Sequence, residues 1–394
     1  MKKFFFGFAL LIPLIIHAQT IKTDVLVIGN GDAALAAGIQ SYKSGVKTLI
    51  LTQSHGFSSQ NNFSTQSIVV QNLFKTLADW KVKKLKKPIE PISKSKAKDT
   101  KKPIDSAALL NIIDTLKYTE IKRSGNGWTL NLSNGQDLKA KILVFADESG
   151  MLLANLKVKT LATAETTVLS YDRNLYRTTI AGLNATESHY LSLYNLLIPN
   201  QENLLFIPPE NVEIGWAAGA TGAYSAFFDT KTSLSNLKRI QGELLSYKLA
   251  LMPFEDVKAA DSNWLALQKI GITGILKAEI RAGKAYFNPE QEVKYNEIKQ
   301  PIKDYYYKAQ IWFDDNKNIP INLENTISLV CYVGNKAIDA TKAEIEKKWN
   351  KNYKFSSKFD LKKVLTRREF SVITNEYLKP FDEVNVDKTG RVIR

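Results

Sequence analysis

Residues 23–29 read TDVLVIG, and residues 29–34 continue as Gly29-Asn30-Gly31-Asp32-Ala33-Ala34. The first stretch is an apolar, β-branched run of the kind that forms a strand buried on both faces of a parallel sheet. A helical pattern, LAAGIQSYKSG, follows the glycines, and Val46 to Leu51 (VKTLIL) reads as a second strand. Strand, glycine turn, helix and strand together have the length of one β-α-β unit. In such a unit Gly29 permits the tight turn and Gly31 lets the backbone approach a pyrophosphate. Ala34 is small enough to stand for the third glycine, where helix packs on strand. Asn30, Asp32 and Ala33 complete the turn, and the N–H groups and positive dipole end of the helix face the phosphates. The residue after the second strand ordinarily carries a carboxylate for the ribose hydroxyls; here it is Thr52, followed by Gln53.

Working outward, residues 81–105 (KVKKLKKPIEPISKSKAKDTKKPID) have the composition of a solvated basic loop or linker. A short helix is expected over 106–116. Three strands follow, Thr119–Arg123, Gly127–Leu132 and Gln136–Ala140, with turns at Ser124-Gly125-Asn126-Gly127 and Ser133-Asn134-Gly135. Lys141 to Ala146 (KILVFA) is a further buried strand and ends in Asp147-Glu148-Ser149-Gly150. The fold class expected is α/β: a Rossmann-like FAD/NAD(P)-binding domain with a parallel sheet and β-meander over 19–250, then a mainly helical domain over 251–394.

The meander WTLNLSNGQDLKAK and the strand ILVFADESG resemble the FAD-dependent oxidoreductases of the two-dinucleotide-fold type. In that family a small meander precedes a strand that returns to the nucleotide domain and ends in Ala-Thr-Gly. More narrowly, TDVLVIGNGDAALAAGIQSYKSGVKTLIL, ILVFADESG and ENLLFIPPENVEIGWAAGATGAYSAFF are similar to exported bacterial FAD-dependent oxidoreductases of the xanthan-lyase-related type. The resemblance implies FAD as cofactor. It places Gly29, Asn30, Gly31, Asp32, Ala33 and Ala34 at the phosphates, Thr52 at the ribose, and Ala146 and Gly150 on the returning strand. Gly215, Gly219 and Gly222 match the family's small-residue helix, whereas Pro208 and Pro209 stand where Gly-Arg is expected. Acidic Asp147 and Glu148 replace the usual Thr, and the stretch from Gly150 to Asn203 is short for a substrate domain.

Lys2 and Lys3, the apolar stretch Phe4 to Ile16 and His17-Ala18-Gln19 have the form of a secretory signal peptide over 1–18. That apolar stretch is shorter than the roughly 20 residues a bilayer span requires. A periplasmic or extracellular mature chain starting near Gln19 is therefore expected, with no membrane span. The net charge of +15 is not accompanied by a zinc-finger spacing or an RNA-binding signature, so nucleic acid is not an expected partner. A single cysteine, Cys331, excludes an internal disulfide and a cysteine metal cluster, and its apolar neighbours mark it as a buried thiol. His55 and His189 alone remain beyond the leader. No metal site is expected and no catalytic residue is assigned.

In the last third, Phe254, Val257, Trp264, Leu267 and Ile270 have spacings suited to a small helical hairpin, and residues 365–370 read LTRREF. These resemble S-layer-homology modules. Thr366 with Glu369 three residues later is a capping box, which initiates a helix. Two readings stand side by side. One is an exported flavin-dependent oxidoreductase whose substrate, carbohydrate-related or other, is open. The other is a non-catalytic relative acting as an envelope or glycan-binding protein. A polysaccharide lyase has no recognisable Tyr, His and Arg constellation behind it.

Overall fold

The computed structural model describes residues 20–58, 68–85, 109–147 and 150–394. The signal peptide expected over 1–18, residues 86–105 of the basic segment, and Glu148 and Ser149 lie outside them. The chain begins with β1 (Ile21–Ile28), the glycine turn, α1 (Asp32–Lys43), β2 (Thr48–Leu51) and α2 (Ile68–Leu85). It continues through β3 (Leu110–Ile113), β4 (Tyr118–Ser124), β5 (Gly127–Leu132), β6 (Asp137–Phe145) and α3 (Gly150–Leu156). β7 (Thr167–Val168), β8 (Thr179–Asn184), β9 (Ser188–Ser192) and α4 (Leu193–Leu196) precede β10 (Leu204–Phe206), α5 (Val212–Phe227) and α6 (Leu237–Ser246).

The main sheet has the order β3-β2-β1-β6-β5-β4, with β10 pairing the second half of β6. β3, β2, β1, β6 and β10 are mutually parallel, while β4 and β5 form an antiparallel meander on the first half of β6. This is a Rossmann-like α/β sheet with an inserted meander. Period-two alternation divides its core. Val25, Val27, Ile142 and Val144 face α1 and α5, whereas Leu26, Ile28, Leu143 and Phe145 face Trp128, Leu130 and Leu152.

The sequence misplaced several elements. Of the helix expected over 106–116, residues 106–108 lie outside the described residues, and Leu110–Ile113 form strand β3, which pairs with β2 from Thr48↔Leu110 to Leu51↔Ile113. Burying its amides in the sheet outweighs local helix propensity. The strands expected at Gln136–Ala140 and Lys141–Ala146 are one strand, β6, long enough to serve the meander first and β10 afterwards. Residues 81–85 belong to α2 and not to a loop.

Small residues bring α1 and α5 unusually close. A Cβ at Gly215 would collide with the Ala33 carbonyl, and one at Gly219 with that of Ala37, so both positions are restricted to glycine by backbone contact. Ser41 donates to the Gly219 carbonyl at 3.1 Å across the same seam.

Beyond residue 250 come α7 (Trp264–Thr273), a small hairpin of β11 (Glu279–Arg281) and β12 (Lys284–Tyr286), α8 (Tyr295–Tyr305), α9 (Tyr307–Asp315), α10 (Leu323–Gly334), α11 (Ile338–Lys348) and α12 (Arg367–Tyr377). The expected helical hairpin over 252–276 is a single helix, α7. Phe254 and Val257 are buried, but from the non-helical segment before it. Cys331 is buried within α10. Thr366 and Glu369 form the capping box of α12, and the Arg367 beside them is buried, donating to the carbonyls of Phe287 and Lys277. One hydrophobic cluster runs from Val25 to Phe381, so residues on both sides of position 250 share a core. Among the described residues no helix is long and apolar enough to cross a membrane.

Candidate functional site

In open parallel sheets ligands gather at the carboxyl ends of the strands, where the glycine turn of this chain also lies. Gly29 has φ +138° and would clash with the Ala146 carbonyl if it bore a Cβ. Its N–H still bonds to Leu51 O at 3.1 Å, and Ala146 N–H bonds to Ile28 O at 2.8 Å, so β1, β2 and β6 end level. The turn then feeds α1, where Ala33 and Ala34, just after its first residue Asp32, are wholly buried.

The approach that glycine permits at Gly31 is made by the protein itself. A Cβ there would strike the Pro209 carbonyl, and that same oxygen accepts the Ala33 N–H at 3.0 Å. One of the helix N-terminal donors that a phosphate would use is thus capped by the Pro208-Pro209 segment leading into α5.

The loop after β2 folds over the turn. Ser58 N–H bonds to the Asn30 carbonyl at 2.8 Å, and the Asn30 amide donates to Ser54 Oγ at 2.7 Å. Thr52 is fully buried, its hydroxyl 2.7 Å from Asp114 Oδ1 and 2.9 Å from the Ser54 carbonyl. The Gln53 amide reaches across β1 to Asp147 Oδ2 at 2.8 Å. Tyr118, at the start of β4, joins this group. Burial pushes its hydroxyl up to about 12, with the Asp147 carboxylate adding to the shift and the Gln53 amide opposing it. Gly150 opens α3, and His55 stands exposed in the loop after β2. Asp32 and Asp147 bring carboxylates to the end of the sheet where a pyrophosphate would carry like charge.

No family model and no curated protein matches the chain. Among solved structures it is similar to a bacillithiol disulfide reductase from Staphylococcus aureus, at 19% identity over 32% of this chain and 39% of that one, TM-score 0.20. A thioredoxin reductase from T. acidophilum follows at 18% over 33% and 38%, TM-score 0.21. A flavin-dependent monooxygenase in complex with FAD and substrate stands at 12% over 37% and 34%, TM-score 0.23. The chain thus spans well under half the length of each of these proteins. Strand order, and not these likenesses, fixes the fold.

The opposite, amino edge of the sheet is open. There a cavity of about 450 Å³ lies between the beginnings of β1 and β6, the β4–β5 turn and the segment after α5. Trp128, Ala140 and Ile142 are buried residues lining it, and Lys22, Lys47 and Lys139 line it from exposed positions. Trp128 is held rigidly: Nε1 donates to Asn203 O at 2.7 Å, and the Arg123 guanidinium lies 3.9 Å from the ring centre. Sequence reading passed over these residues. Their signal was the charge alternation Lys22-x-Asp24 and Lys139-x-Lys141 on strands otherwise apolar.

Proposed function

We propose that this chain keeps the dinucleotide-binding fold of the FAD-dependent oxidoreductases as a scaffold and works as a non-catalytic binding protein of the cell envelope. The observation that carries this reading is the Pro209 carbonyl, which both abuts Gly31 and accepts the Ala33 N–H. In a dinucleotide-binding protein that space and that donor serve the pyrophosphate. Thr52 is bonded to Asp114 and the Ser54 carbonyl instead of being presented to a ribose, and no carboxylate replaces it at the end of β2. The residues present therefore do not fit FAD in its usual position. Export rests on the leader over 1–18, with a periplasmic or extracellular location following from it.

A second reading, an FAD-dependent oxidoreductase of unidentified substrate, is favoured by the strand order and the glycine turn themselves. FAD, when bound, would supply hydride transfer, and the protein would hold and orient it. Gly29 through Ala34, Thr52, Ala146 and Gly150 would be its contacts once the Pro208-Pro209 segment withdrew.

The experiment is to purify the mature protein, record its visible spectrum, and titrate it with FAD while following flavin fluorescence. We expect a colourless protein and no saturable uptake. A yellow protein, or stoichiometric uptake of added FAD, would overturn the non-catalytic reading in favour of the enzyme.

A further inference from the structure

We propose that the basin at the amino edge of the sheet is a binding site for a small amphiphilic anion, a carboxylate carried on an apolar body. This site is at the opposite end of β1 from the glycine turn and does not depend on whether FAD binds there.

The charge arrangement comes first. Lys22 and Lys139 are direct cross-strand partners in the parallel pairing of β1 with β6, and both are exposed. Like charges placed opposite each other in a sheet repel. Two carboxylates line the same space, Asp24 and Asp229; Asp24 is occupied by the Lys141 ammonium at 3.0 Å and by the Lys47 N–H at 3.1 Å, and Asp229 makes no ion pair with Lys22, Lys47 or Lys139. Lys141 is further fixed by donating to the Ala226 carbonyl at 3.2 Å. The ammonium groups of Lys22, Lys47 and Lys139 have no ion-pair partner among the described residues, and all line one concave space. An anion placed between them would relieve the repulsion that the strand pairing imposes.

The apolar half of the ligand follows from what lies beneath and beside the lysines. Trp128, Ala140 and Ile142, all buried, line the same space as the lysines, so a bound molecule meets apolar surface as well as charge. Phe227 and Phe228, 67% and 57% exposed, immediately precede the Asp229 that borders the cavity. Apolar surface surrounded by convergent cations, in a space of this size, suits a compact organic anion better than a bare inorganic one. Asn126 and Thr230 at the rim can add polar contacts.

Calorimetric titration of the mature protein with 1-naphthoate at low ionic strength tests this. Saturable binding at a single site is expected, weakened at least tenfold in the double variant Lys22→Gln, Lys139→Gln and unchanged in Lys308→Gln, which lies on α9 away from the basin. The double variant should melt no lower than the wild type, since both positions are exposed and the substitution removes a like-charge pair. Inorganic phosphate and galacturonate, titrated in parallel, should bind at least tenfold more weakly than 1-naphthoate. Absence of saturable binding, or binding indifferent to the two lysines, would overturn the site. Phosphate or galacturonate matching 1-naphthoate would overturn the apolar half of the assignment. FAD uptake is scored separately, so failure here and failure of the non-catalytic reading give different results.

Discussion

At the carboxyl edge of the parallel sheet, Ala33, Asn30, Thr52 and Gln53 each bond to another part of the chain. At the amino edge of the same strands, Lys22, Lys47 and Lys139 line a cavity and have no ion-pair partner among the described residues. The first region is where the fold customarily binds its ligand, and here these four groups are bonded within the chain. The second has no customary role, yet it holds the unsatisfied charge. The difference teaches that a fold indicates where a ligand site is commonly built, whereas unspent hydrogen-bonding and charge capacity indicates where this chain can still bind something.

The largest effect that would break the comparison concerns Gly31. If its lack of a side chain serves packing against Pro209, Gly31→Ala forces backbone apart and should cost about 2–3 kcal/mol in chemical denaturation. If it serves only an absent phosphate, stability should stay at the wild-type value. A smaller effect sharpens the description of the closed edge. Tyr118 has its hydroxyl pKa raised to about 12 from the ordinary 10, so between these values the unfolded chain ionises while the folded one resists. Stability falls as pH rises through that window, because the unfolded state binds fewer protons there. Tyr118→Phe should lose about 2 kcal/mol less than wild type between pH 10 and 12. Parallel pH profiles for the two proteins would instead place the hydroxyl in water. The smallest effect is at the amino edge. Lys139→Gln should change stability by no more than about 0.5 kcal/mol, as for an exposed side chain without a structural partner. A loss of several times that size would mean the lysine holds the strand pair together.

Much of the nucleotide-fold half was legible because its signals are local. The β-branched run at Thr23–Gly29, the glycine turn and the periodic helix identify a β-α-β unit without reference to the rest of the chain. The turns at Gly125 and Gly135 were legible for the same reason, both glycines having positive φ. β3 was not legible: LNII is four residues long, and only the open edge of β2 makes it a strand. Of the candidate site, the turn residues could be named but their partners could not. Pro209 is far along the chain from Gly31, and nothing in either stretch announces that one carbonyl will occupy the other's approach.

Sequence alone determined that this protein has a glycine turn between two parallel strands, a small-residue helix able to pack tightly, and a capping box at Thr366. Each depends on backbone geometry and periodicity within a dozen or so residues. Tertiary structure alone decided that one N-terminal donor of α1, the Ala33 N–H, is capped from α5's leading segment, and that lysines from β1, β6 and the α1–β2 turn line one cavity. Both outcomes depend on which distant groups come within hydrogen-bonding or Coulombic range, and such proximity is a property of the folded chain.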